Sequence, residues 1–135
     1  MKLKFPFWVL AAALVVSAVP VYAHHSFAAE FDANKPVTLT GVVTHVTWTN
    51  PHAWVHADVQ NEDGSVSNWK FELGSPNALY RLGWQRDTVK PGDVVTVNGF
   101  RARNGNASAN AKEFRLKDGR QVFAGSSAPD QGVKK

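Results

Sequence analysis

Short runs dense in Val, Thr, Phe and Trp, broken every few residues by Gly, Pro, Asn or Asp, predict a mainly β fold over residues 36–123. Two further features sharpen this. A single helix signal interrupts the strands at Ser75 and Pro76, and the long first strand contains a glycine, Gly41. Three strands, one short α-helix and two more strands is the order of a five-stranded OB-like barrel, in which the helix plugs the barrel between strands three and four.

The first strand spans residues 37–48, with a sharp bend or bulge expected at Gly41, and Thr49-Asn50-Pro51 ends it. The second, residues 52–60, alternates cleanly. Ala53, Val55, Ala57 and Val59 share one face and His52, Trp54, His56 and Asp58 the other, and the small apolar set suits the core. Asn61-Glu62-Asp63-Gly64 is a hairpin turn, because Asp-Gly accepts the positive φ such turns need. The third strand covers residues 66–73.

Ser75 then caps a helix of about two turns, Pro76 fits its first position, Leu79 and Leu82 lie three apart, and Gly83 ends it. Lys90-Pro91-Gly92-Asp93 turns into the fourth strand, residues 94–103, whose Val95 and Val97 alternation shifts around Gly99 as a bulge would make it. Residues 104–110 read as a polar loop. Residues 111–116 and 121–123 bracket a Lys117-Asp118-Gly119-Arg120 hairpin, and residues 126–135 form a disordered tail.

Ahead of this domain, Lys2 and Lys4, the apolar run 5–19 and Val21-Tyr22-Ala23 have the order of a secretory signal cleaved after Ala23. A cut after Ala18 is the alternative. The expected product is one domain, residues 24–125, in the periplasm or outside the cell, with no membrane span after cleavage. The absence of cysteine excludes disulfides, thiol nucleophiles, lipid attachment and Cys-type zinc sites. The formal charge of +4 includes Lys2 and Lys4, and the other basic residues are interleaved with acids, so no nucleic-acid footprint is expected.

Cleavage after Ala23 would leave His24 as the first residue, its free α-amine beside its own imidazole: a preformed chelate for copper or zinc. His24, His25, His52 and His56 are therefore the candidate metal ligands, with copper the expected ion. His52 and His56 lie about 13 Å apart along a strand and cannot share one ion directly, whereas His45 falls opposite residues 52–56 once the first two strands pair. Trp54 and His45 are the candidate residues for a protein partner or a small envelope ligand. Plainer roles exist for the same residues. The His52 ring, just after Pro51, suits a bond to a backbone carbonyl. The segment 27–31 has Phe27 and Phe31 to bury and would cover the Trp54 face.

Catalysis finds little support. The serines lack a nucleophile-elbow context, no Gly-rich phosphate loop exists, and Glu30 with Asp32, or Asp58 with Glu72, read as solvating carboxylates. Two readings remain: an exported protein holding a transition metal at its N-terminus, and a metal-free adaptor binding through the aromatic face of the second strand.

The chain also resembles a family of small exported bacterial proteins. The matching segments are Ala-His-His-Ser-Phe from Ala23, Ala-Glu-Phe-Asp from Ala29, Trp-Thr-Asn-Pro-His-Ala-Trp from Trp48 and Glu-Leu-Gly-Ser-Pro-Asn-Ala-Leu from Glu72. Gly83-Trp84, Lys-Pro-Gly-Asp from Lys90 and Phe-Ala-Gly from Phe123 complete the set. The resemblance implies membership of that family and carries no activity or functional residues with it.

Overall fold

The computed structural model describes residues 27–127. The expected signal, its cleavage site, His24, His25 and most of the tail lie outside the described residues. A helical turn, residues 27–30, precedes β1 (Phe31–Thr47). There follow β2 (Trp54–Gln60), β3 (Val66–Glu72), a helix (Pro76–Arg81), β4 (Val94–Ala102), β5 (Ser108–Leu116) and β6 (Gln121–Phe123).

The strands form one six-stranded sheet in the order β3-β2-β1-β4-β5-β6, and a further β3–β5 pairing joins the first five into a ring. Every pairing is antiparallel except β3–β5. Long β1 makes the ring by serving two neighbours. Its residues from Pro36 to Val42 pair with β4 and those from Gly41 to Thr47 with β2. The sheet thus has six strands where five were expected, because Gln121–Phe123 adds its own short strand to β5.

The inside of the ring holds the core, including Val43, Phe71, Val95, Val97 and Phe114. The alternation read in β2 places its residues correctly: Ala53, Val55, Ala57 and Val59 are all buried. Each fully buried side chain of Val or Phe size contributes roughly 1.5–3 kcal/mol. The helix is capped as its sequence dictates, with the Ala78 amide donating to Ser75 Oγ at 3.2 Å, and it presents buried Leu79 to the core.

Several features depart from the sequence reading, β2 among them, which begins at Trp54 rather than residue 52. β1 begins at Phe31 rather than residue 37, because Phe31 already pairs with Ala102 of β4. β5 begins at Ser108, inside the expected polar loop, because Ser108, Ala109 and Asn110 are the residues that pair with β3 and close the ring. The irregularity in the β1–β2 ladder falls between Val43 and His45 rather than at Gly41. At Gly41 the need is space, since a Cβ there would lie 2.6 Å from the Asp58 carbonyl oxygen. The β4–β5 register does shift between Asn98 and Gly99, but the extra residue is Lys112 of β5 rather than Gly99 of β4, since Asn98 pairs with Glu113 and Gly99 with Ala111.

Candidate functional site

The outer face of the β1-β2-β3 ladder carries the residues singled out in the sequence. Trp54 is half-buried, and the Lys70 ammonium, from the next strand, sits 4.0 Å from its ring centroid. Beside this pair opens a groove of about 720 Å³. One wall is Trp54 and Lys70, the opposite wall is the β4–β5 loop with Arg103, Asn104 and Asn106, and the third is the helical turn with Glu30.

The turn is held by its phenylalanines. Phe27 and Phe31 are buried against Phe100 and Ala102 on the outside of β4, with the Phe27 ring 5.8 Å from Phe31 and 5.9 Å from Phe100. Arg103 fastens it further, its Nε donating to the Ala28 carbonyl at 2.6 Å and its backbone amide to the Glu30 carbonyl at 2.9 Å. Segment 27–31 therefore finds its burial on β4, where Phe100 supplies an apolar seat, and stands beside Trp54 as a groove wall.

The histidines separate into two situations. His52 Nδ1 lies 3.0 Å from the Leu73 carbonyl oxygen. A carbonyl only accepts, so Nδ1 carries the proton, and in the neutral ring Nε2 keeps its lone pair. His45 pairs with His56 across the β1–β2 ladder, with ring centroids 5.9 Å apart. Among the described residues no group of three or more His, Asp or Glu side chains is arranged to hold a metal ion. The structure thus brings His45 and His56 together and does not join His52 to them.

One polar pair was missed by the sequence reading. Glu72 was read as solvating, yet it is only 6% exposed, and Asn110 beside it is fully buried. The Asn110 amide donates to Glu72 Oε1 at 3.1 Å, while Asn110 Oδ1 has no hydrogen-bond partner among the described residues. Burial pushes the Glu72 carboxyl above the usual carboxylate range. Nearby His52, the Asn110 bond and Lys70 pull it back, and the Glu30 carboxylate adds to the rise. The sequence carried no signal for this: between inward-facing Phe71 and Leu73, alternation turns Glu72 to the outer face, and it is buried there only because Asn110 of distant β5 pairs with it.

The described residues define a small, mainly β domain with a ring of five strands and an open, partly cationic groove on its outer face. The chain belongs to the family of unknown function DUF6152, whose family model matches residues 12–111. A comparison with curated proteins finds no match. Among the described residues no helix is long and apolar enough to cross a membrane.

Proposed function

We propose that this is an exported small binding protein that takes an acidic small ligand into the groove beside Trp54. The observation that carries the reading is the groove, whose lining brings together Trp54 and Phe31, the cations Lys70 and Arg103 and the loop amides with one carboxylate, Glu30, while Asp32 pairs with Arg103 at 3.9 Å. Lys70 and Arg103 suit a carboxylate or phosphate, Asn104 and Asn106 suit hydroxyls, and Trp54 suits a flat or sugar-like body. We also read the five-strand ring as an OB barrel. In that fold strands two and three and the loop between strands four and five form the common ligand face, and the groove is bounded by those elements.

Titration with glucuronate, with glucose as the uncharged control, tests it by NMR. Glucuronate should shift the Trp54 indole and the amides of the 103–107 loop, and glucose should shift them far less. Trp54→Ala should weaken binding at least tenfold while costing only about 1–2 kcal/mol of stability, well below the 3–5 kcal/mol of a buried aromatic. Equal response to both sugars, or unchanged binding by the variant, would reject the acidic-ligand site.

A second reading, a copper-holding N-terminus built on His24 and His25, draws on the anchoring of Phe27. Amino-terminal sequencing of the exported protein is expected to start at His24, and any other start ends this reading.

A further inference from the structure

We infer that His45 and His56 form a two-histidine site for a divalent transition-metal ion on the outer face of the β1–β2 ladder. The inference depends neither on the groove nor on where the mature chain begins.

The register explains why the two rings meet. Val43 pairs with Ala57 and Val46 with Val55, so β1 places two residues, Thr44 and His45, where β2 places only His56. Had the ladder run regularly, Thr44 would oppose His56, and His45 would follow as the partner of Val55 and point into the core. The extra residue instead leaves His45 exposed and makes it the partner of His56. Both rings then lie on the outer face, His45 exposed and His56 half-buried.

Their spacing fits one ion. Metal–nitrogen bonds of about 2.0–2.1 Å, plus the distance from ring nitrogen to ring centre, put two imidazole centroids about 5 Å apart at a tetrahedral angle and about 6.4 Å apart at a linear one. The observed 5.9 Å lies between these limits, with the rings inclined at 61°. Rotation about each Cβ–Cγ bond re-aims the ring nitrogens while leaving the centroid separation little changed.

The surroundings also favour a cation. Lys70, the β3 neighbour of His56, would repel an ion, but its ammonium sits over the Trp54 ring, 4.0 Å from the centroid. Asp58, two residues from His56 on the same face, supplies negative charge and is fixed by Asn68, whose amide donates to Asp58 Oδ1 at 2.9 Å and to Thr44 Oγ1 at 3.1 Å. Because no third His, Asp or Glu completes the set among the described residues, the ion keeps open positions for water or for a donor from another molecule. Such a site binds reversibly, and imidazole donors favour nickel, copper and zinc over magnesium or calcium.

The test is nickel(II) titration by calorimetry, in protein carrying His24→Ala and His25→Ala so that the N-terminal imidazoles contribute nothing. One ion per chain is expected. His45→Gln and His56→Gln should each weaken binding at least tenfold, and the double variant should lose little more than either single one, because removing one arm already destroys the chelate. Both positions face solvent, and an unchanged denaturation midpoint verifies that each variant is folded. Affinity unchanged by His45→Gln, or two small losses that simply add, would overturn the shared site.

Discussion

Trp84→Ala is expected to bring this protein close to the limit of stable folding. Trp84 is 1% exposed, its ring packs edge-on against Phe114 at 5.7 Å and against Trp48 at 6.4 Å, and its indole N–H donates to the Phe123 carbonyl at 2.8 Å. Truncating a buried aromatic costs about 3–5 kcal/mol, and the lost hydrogen bond adds about 1 kcal/mol. A small domain has a total margin of about 5–15 kcal/mol. The bond to Phe123 also ties the segment that follows the helix to short β6, so both should loosen together. A urea titration measures the effect, and Trp84→Phe, which keeps most of the ring volume, should retain more than half of the lost stability. A loss below about 1.5 kcal/mol for the alanine variant would contradict the packing described.

Glu72→Gln is expected to stabilise the protein at neutral pH and to flatten its stability profile. A carboxyl whose pKa is raised on folding binds its proton more tightly in the native state. Its contribution is fully present below the ordinary value of 4.5 and is lost as pH rises through the higher native value. The wild-type protein should therefore lose stability from this group as pH rises above 4.5, and the Gln variant should not. Chemistry at Asn110 points the same way. Its Oδ1 is buried without a donor among the described residues; a neutral Glu72 hydroxyl, or the side-chain amide that the Glu72→Gln variant carries, has a proton to give, whereas a carboxylate has none. Satisfying a buried acceptor is worth about 1–3 kcal/mol. Denaturation midpoints of both proteins between pH 4 and 8 check this. Parallel profiles would show that Glu72 is ordinary in its ionisation.

The parts of the fold that local chemistry controls were legible in the chain. Asp63-Gly64, Pro91-Gly92 and Asp118-Gly119 mark turns whose glycines all have positive φ, and Ser75 caps its helix. Alternation alone turned Trp54 outward from β2. What depends on distant partners was not legible. Where β1 takes up its extra residue is decided by two neighbours with separate registers, so Gly41 drew the expectation and Thr44 holds the irregularity. Residues 104–110 look like a loop by composition, yet Asn110 is buried because Glu72 faces it. The groove shares this origin: Lys70, Arg103 and Glu30 come from three separated segments, and no spacing in the sequence brings them together.

The ring closure also dictates an order of events during folding. Thr38 of β1 bonds Asn98 of β4 across 60 residues, and β3 finds its second neighbour only when Ser108, Ala109 and Asn110 arrive. Until then Val43, Val55 and Phe71 of the β1-β2-β3 meander lack Val95, Val97 and Phe114, which complete their core. Residues 31–72 thus complete their pairing and their core only with residues 94–116. Folding dominated by such late, long-range pairings is slow, so a newly made chain spends an extended interval unfolded, the form in which it can still be threaded through a narrow pore or captured by a chaperone.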